Sequence, residues 1–267
     1  MPQDLRVPVL RNVELDRANF LLEFSAPSMI ASMRPAQFFM IGIPGGETLL
    51  RRPYSVCGLP GTFEDGADGA AQVLYKVVGR GTALLAALKG GTALDVLGPL
   101  GNGFVAPASR EVRPVLVAGG IGAAPFPALL AALGPAGPPR MFYGARGAAD
   151  LPLSAWFERR TELTLTTEDG SAGRRGRVSE PLEEFLSASD PRSLHVYACG
   201  PEPMLRAVAR LASRFAVRTD LALEAHMACG FGVCLGCVVP TRRAGSEFGY
   251  DRVCVEGPVM PAETLAW

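Results

Sequence analysis

The sequence predicts three units in series: an antiparallel β-barrel domain, an α/β domain with a doubly wound parallel sheet, and a small cysteine-rich C-terminal appendage. Three observations carry this. Residues 7–104 hold short strand-like runs between prolines and glycines, with one helical stretch among them. From about residue 108, apolar strands alternate with helical stretches, the pattern of a parallel sheet with crossover helices. After Leu223 glycine and cysteine take over, leaving too few residues to bury a core alone, so a metal centre is expected to organise them. The expected boundaries are 1–107, 108–222 and 223–267.

In the first unit, Leu21-Leu22-Glu23-Phe24, residues 37–43 and residues 72–78 alternate or run apolar, as barrel strands do. Residues 61–71 read as a mobile hairpin loop. The helical stretch is 82–88, with Thr82 in the N-cap role. In the second unit Val115-Leu116-Val117-Ala118 is a fully apolar strand, followed by a helix over about 125–133. Further strands are expected at 140–143, 162–166 and 195–198, and a helix at 202–215.

Length and charge narrow the function. A chain of 267 residues suits two domains and an appendage. Its 26 basic and 26 acidic residues cancel, which leaves no basic excess for nucleic acid and no polybasic membrane anchor. Residues 114–139 carry no charge, but Gly119, Gly120, Gly122, Pro125, Pro127 and Gly134 interrupt them. A buried strand, a turn and a packed helix are expected there rather than a membrane span. With no secretory signal pattern at the start, a cytoplasmic, reducing compartment is expected.

Cys229, Cys234, Cys237 and Cys254 follow the order C-x4-C-x2-C plus a fourth, the spacing by which thiolates hold a plant-type [2Fe-2S] cluster. Glycines between them let the backbone curl closely around the sulfurs. No charged residue lies between Cys229 and Pro240, and Ala228, Phe231, Val233 and Leu235 give the loop an apolar wall. Such a face fits docking against a partner that keeps water out. Zinc also takes four cysteines, but usually from two C-x2-C pairs. Cys57 and Cys199 stand alone.

Four further motifs point to nucleotides. Arg51-Arg52-Pro53-Tyr54-Ser55 precedes Gly79-Arg80-Gly81-Thr82, where glycines and a helix start could receive a pyrophosphate. Singly, these read as a solvated Arg pair and a helix cap. Gly119-Gly120-Ile121-Gly122 between strand and helix is a nucleotide-binding turn, with Pro125 where a dinucleotide fingerprint has its third glycine. Cys199-Gly200-Pro201 ends a later strand; alone, Cys199 is a buried small hydrophobe. Glu168-Asp169-Gly170 reads equally as a nucleotide contact or a surface turn. Arg146 could meet a 2′-phosphate, which Glu168 and Asp169 would repel if near.

Together these motifs resemble the ferredoxin–NAD(P)+ reductase superfamily. The resemblance implies FAD on the barrel, with Arg52 on its pyrophosphate beside Gly81 and Thr82. It places Pro53 and Tyr54 along the isoalloxazine, Ser55 near N5, and Leu74, Tyr75 and Lys76 on the flank. Residues 97–104 match the superfamily's closing loop. NAD, as an exchangeable substrate, would meet Gly119, Gly120, Gly122, Cys199, Gly200 and Pro201, with Cys199 near the nicotinamide; Ser55 and Cys199 are then the catalytic pair.

The order of motifs and the tail, Glu224-x4-Cys229 to Cys254-Val-Glu-Gly-Pro-Val, resemble one branch over residues 7–260. It comprises the electron-transfer subunits of NAD-dependent, two-subunit dihydroorotate dehydrogenases, which serve pyrimidine (UMP) biosynthesis. This implies an FMN-containing catalytic partner in a heterotetramer. Related reductase subunits serving ferredoxin, hydrogenase or sulfite reductase share the architecture and remain the alternative. A nicotinamide exchanges two electrons and an iron–sulfur cluster one, and a flavin can mediate between them. His195 and His226 read as structural.

Overall fold

The computed structural model describes every residue except 17, 46, 47, 135, 136, 244 and 245. The barrel strands are β1 (Gln3–Asp16), β2 (Asn19–Ser25), β3 (Phe38–Gly42), β4 (Arg52–Gly58), β5 (Ala70–Lys76) and β6 (Ala93–Leu100). They close in the order β1-β2-β5-β4-β3-β6. Alternation sorts their side chains: Phe24, Phe39, Ile41, Tyr54, Val56, Val73, Tyr75 and Val96 fill the interior. The intervening Phe38, Met40 and Leu74 point outward into other cores.

The α/β domain contains β7 (Arg113–Gly119), β8 (Arg140–Ala145), β9 (Glu162–Thr167), β10 (Arg174–Arg175), β11 (Leu194–Cys199) and β12 (Arg218–Ala222). The order β9-β8-β7-β11-β12 is the doubly wound 3-2-1-4-5 arrangement, all parallel. Both faces of β7 are covered: Val115 and Val117 join one core, Leu116 and Ala118 the other. Burial on both sides is why this strand is apolar from Val115 to Ala118. The 202–215 helix forms as expected. Acidic Glu202 and basic Arg214 suit its two ends, and Leu205, Val208, Leu211 and Ala212 make its buried stripe.

The tail contributes β13 (Val238–Arg243) and β14 (Ser246–Arg252), an antiparallel hairpin, and then β15 (Val259–Pro261). β15 pairs antiparallel with β12, so the chain returns to the edge of the parallel sheet after passing the cysteines.

Two local expectations are corrected. The barrel helix spans Arg80–Ala86 with Gly79 as its cap, so Thr82 sits in its first turn. Thr82 Oγ1 accepts from the N–H groups of Val78 (2.9 Å) and Gly79 (3.2 Å), so it closes the helix start from the third helical position and not from the N-cap position itself. The hairpin loop before β5 is pinned, not free. Phe63 is buried and packs on Trp156, Asp65 pairs with Arg11, and Ala67 N–H donates to buried Glu23 (3.0 Å).

Candidate functional site

The outer face of the barrel carries the flavin motif. Arg52 begins β4, and its guanidinium lies against Gly81, where a Cβ would stand 3.0 Å from Arg52 Cζ. The cation and the first turn of the helix therefore converge on one point, a donor set that suits a pyrophosphate. Pro53 and Ser55 share the outer face of β4, whereas Tyr54 turns into the barrel. The Tyr54 hydroxyl is buried without a hydrogen-bond partner among the described residues. Burial, slightly offset by Arg52, pushes its pKa up to about 12. An orphaned buried hydroxyl beside the motif fits a polar ligand that would satisfy it.

On the neighbouring β5, Leu74 faces outward, in one buried cluster with Leu21, Cys57, Phe63 and Ala124. Tyr75 points inward and donates to Asn12 Oδ1 (3.0 Å). Lys76 pairs with Asp150 of the α/β domain. The three thus serve different surroundings: Leu74 at the domain junction, Tyr75 in the barrel core, and Lys76 in a cross-domain ion pair.

At the α/β domain, the glycine turn after β7 and the Cys199-Gly200-Pro201 end of β11 meet at the sheet's topological switch point, where open α/β sheets bind ligands. Their approach is backbone to backbone. A Cβ on Gly122 would lie 2.5 Å from Cys199 O and 2.6 Å from Gly200 Cα, so only glycine fits. Cys199 is buried, and burial, then the nearby Glu224 carboxylate, hold its thiol well above the ordinary range. It is a neutral thiol at physiological pH. Glu224, exposed just after β12 and near Cys199, has its carboxyl raised by desolvation from the surrounding protein. His195 is buried between Asp220 (2.9 Å) and the Tyr197 hydroxyl (2.8 Å), and Tyr197 reaches Val105 O at 2.8 Å. That network is structural, as expected; His226 is exposed.

The four tail cysteines come together as pairs. Cys237 and Cys254 are buried with sulfurs 3.3 Å apart. Cys229 and Cys234 form the other pair, on the open side. Burial raises the Cys229 thiol, but the N–H groups of Cys234, Phe231 and Val233 and the Cys234 side chain outweigh it and bring it down to about 6. Burial, then Cys237, push Cys254 up to about 12. Among the described residues no three or more ligating side chains surround a single point. Two pairs suit two irons with two thiolates each better than one tetrahedral zinc ion. Backbone N–H groups aimed at sulfur are what such a cluster needs.

Comparison with known proteins agrees with this geometry. A profile described as the iron–sulfur cluster binding domain of dihydroorotate dehydrogenase B matches residues 224–266, and one for an oxidoreductase NAD-binding domain matches 116–210. The dihydroorotate dehydrogenase B (NAD(+)) electron transfer subunit of Bacillus caldolyticus is 41% identical over 88% of both chains. That of Caldanaerobacter subterraneus subsp. tengcongensis is 38% identical over 86% of both. The chain belongs to the family of dihydroorotate dehydrogenase B electron transfer subunits. Among solved structures, the NADH-dependent reduced ferredoxin–NADP oxidoreductase matches with TM-score 0.81 and 28% identity, over 98% of this chain and 90% of that one. The ferredoxin reductase of carbazole 1,9a-dioxygenase shares the fold at TM-score 0.68 and 21% identity, over 81% of this chain and 67% of that one.

Family membership makes the chain a flavin- and NAD-linked, iron–sulfur electron-transfer subunit. Sequence reasoning passed over several residues around these sites. Arg252 binds Glu256 and also donates to Gly232 O (3.1 Å), bracing the cysteine loop from behind. Met40 packs against Gly230 of the cysteine loop, and Asn102 bonds residues 256–259 just beyond Cys254. The missed signal for Asn102 was a polar residue inside a glycine-rich closing loop, where a side chain is retained only for its hydrogen bonds.

Proposed function

We propose that this chain is the electron-transfer subunit of an NAD-linked dihydroorotate dehydrogenase B in the cytoplasm, feeding pyrimidine biosynthesis. Electrons from an FMN-containing catalytic partner enter at the cysteine segment, pass to FAD on the barrel and leave to NAD+ at the switch point. The single observation that carries this is continuity. The outward faces of β3 and β4 connect the buried cysteine pair to the Arg52–Ser55 strand, and Leu74 connects that strand to the nucleotide turn.

Bound FAD supplies the exchange between two-electron hydride chemistry and one-electron transfer. The protein's own residues hold and shield it. Arg52 neutralises the pyrophosphate and Ser55 offers a hydroxyl on the outer face, while Tyr54 packs inside the barrel behind that strand. The neutral Cys199 thiol and the glycine turn let a nicotinamide approach the barrel face while excluding water. The test is to purify the native complex, measure FAD, FMN and iron, and assay dihydroorotate-dependent NAD+ reduction. The isolated chain is expected to reduce dyes with NADH and to leave dihydroorotate untouched; dihydroorotate turnover by the chain alone contradicts the reading. The likeness to the NADH-dependent ferredoxin–NADP oxidoreductase favours ferredoxin as the second candidate partner, and ferredoxin-dependent activity without dihydroorotate activity would select it.

The docking face is apolar. Phe231, Val233, Leu235 and Val255 are exposed around the cysteines, with Phe248 and Tyr250 exposed two apart on β14. Exposed aromatics beside a metal centre fit a partner interface. Phe231→Glu is expected to weaken assembly with the catalytic subunit by a factor of roughly 30 or more, the scale of an interface anchor worth about 2 kcal/mol. FAD and iron content should stay unchanged. Undiminished assembly, measured by analytical ultracentrifugation, counts against this face.

Discrimination between NAD and NADP follows from Asp169. Its N–H donates to Arg146 O (3.1 Å), and its carboxylate abuts Gly147. Hydrogen bonds from Ser171 keep that carboxylate below the usual range. A fixed negative charge here repels a 2′-phosphate that Arg146 alone would attract. Asp169→Ala is expected to raise kcat/KM for NADPH roughly tenfold, as loss of one close like-charge contact permits. An unchanged NADPH/NADH ratio would place the ribose elsewhere.

A further inference from the structure

The wall between the cysteine segment and the flavin strand is one strand thick. β3 pairs with β4 so that Phe38 stands opposite Ser55 and Met40 opposite Pro53. Directly opposed residues project from the same face of a sheet, with Cβ atoms about 4.5–5.5 Å apart. On their outward side Phe38 and Met40 share one core with Cys237, Val253 and Cys254. Met40 is 0% exposed, and Gly230 of the cysteine loop packs so closely on it that a Cβ there would overlap Met40 Cγ and Sδ. Met40 therefore touches the cysteine loop at one end and neighbours Pro53 at the other.

A second contact fixes the far side of the segment. Asn102 Nδ2 donates to the carbonyls of Glu256 and Val259, both at 2.8 Å, while its Oδ1 accepts from Val259 N–H at 2.9 Å. The Asn102 backbone N–H donates to Gly257 O at 2.6 Å. One barrel residue thus grips residues 256–259, immediately beyond Cys254. The loop bearing it is itself tied to the start of β3, because Gln37 Nε2 donates to Gly101 O at 2.7 Å.

We propose that Met40 is the spacer that sets the gap between flavin and cluster, and that Asn102 is the clamp that holds it. Both are positioning residues for the one-electron step. The inference rests on the proposed placement of FAD along β4 and of the cluster on the four cysteines. In the NADH-driven direction, the hydride carries two electrons and a proton to the flavin and leaves NAD+. One electron then moves to the oxidised cluster. The other stays on the flavin with the proton until the cluster has passed its electron to an acceptor dye or the partner. No bond forms or breaks in the flavin-to-cluster step, so its rate depends on distance and packing. Met40→Ala opens a void there and frees Gly230 to shift. Met40→Leu conserves volume and the gap.

The experiment uses the reconstituted holoprotein. FAD and iron content are measured first and test the site placement by themselves; their absence from the unmutated chain would sink that reading and this proposal with it, whereas every later result bears on this proposal alone. Anaerobic rapid mixing with NADH then follows flavin bleaching optically, for the hydride step, and cluster reduction by freeze-quench electron paramagnetic resonance. Met40→Ala and Asn102→Ala are expected to keep FAD, iron and the bleaching rate. Their cluster reduction should slow several-fold, because electron transfer weakens as the gap and its packing open. Met40→Leu should recover most of the rate. Unchanged cluster reduction in Met40→Ala at full iron content overturns the proposal, as does an equal slowing of both steps. Should Asn102→Ala shed iron, the Met40→Ala and Met40→Leu pair decides on the same criteria.

Discussion

Replacing Cys237 by serine is expected to abolish dihydroorotate-dependent NAD+ reduction in the assembled complex while NADH-driven dye reduction by the flavin persists. The thiol is buried, its sulfur is 3.3 Å from that of Cys254, and both side chains share a core with Val253, Phe38 and Met40. A soft thiolate is the ligand that iron–sulfur chemistry selects, and a hydroxyl is a poor substitute. A structural loss adds to the chemical one. An unsatisfied hydroxyl buried in an apolar core costs about 1–3 kcal/mol. Cys234 provides the internal contrast because it is exposed. Cys234→Ser removes a proposed ligand without burying a polar group, so it should lose iron with a smaller fall in Tm than Cys237→Ser. Iron and labile sulfide, Tm and the two activities read this together. Full iron retention by Cys237→Ser would mean that this cysteine is not a ligand.

Much of this architecture was legible in the sequence because each element carries its own periodic signal. The 202–215 helix has both ends marked by charge and its stripe marked by Leu205, Val208 and Leu211, so its limits could be read directly. β7 is apolar at every core position because both of its faces are covered, and no turn residue interrupts it. The cysteine spacing is local as well. What could not be read is whatever depends on register or on distant pairing. Pro53 and Tyr54 are adjacent in sequence but lie on opposite faces of β4, and a period of two gives no hint of which face meets a ligand. Asn102 bonds residues more than 150 positions away, so nothing around it announces its partner. β15 is three residues long, below the length at which alternation is visible, and it forms because β12 offers an open edge. The loop before β5 looked free because its composition is polar and glycine-rich. Its anchors are distant in sequence: Arg11 and Glu23 on the first two barrel strands, and Trp156 and Arg160 from the other domain.

Gly122→Ala tests the meeting of the two nucleotide motifs, and its expected effect is selective. The added Cβ would stand 2.5 Å from Cys199 O and 2.6 Å from Gly200 Cα. Both are backbone atoms, so no side chain can rotate aside to make room. β7 and β11 are paired from Leu194 to Cys199 and sealed in core on both faces, and neither strand can slide to relieve the overlap. The strain therefore falls on the ends of the strands, parting the glycine turn from Cys199 where the nicotinamide would bind. Overpacking of this kind costs about 1–3 kcal/mol, and at this chain length each kcal/mol lowers Tm by roughly 2–4 °C. The functional loss should be larger than the thermal one. Displacing a binding element by about 1 Å can cost on the order of a hundredfold, so kcat/KM for NADH should fall on that scale. FAD and iron should stay bound, because Arg52, Gly81 and the four cysteines belong to other parts of the fold. A variant with NADH kinetics near those of the unmutated protein would show that the nucleotide does not pass between Gly122 and Cys199. Loss of FAD alongside NADH activity would show instead that the barrel and the switch point respond as one unit, carried by the Lys76–Asp150 pair and by Leu74 against Ala124.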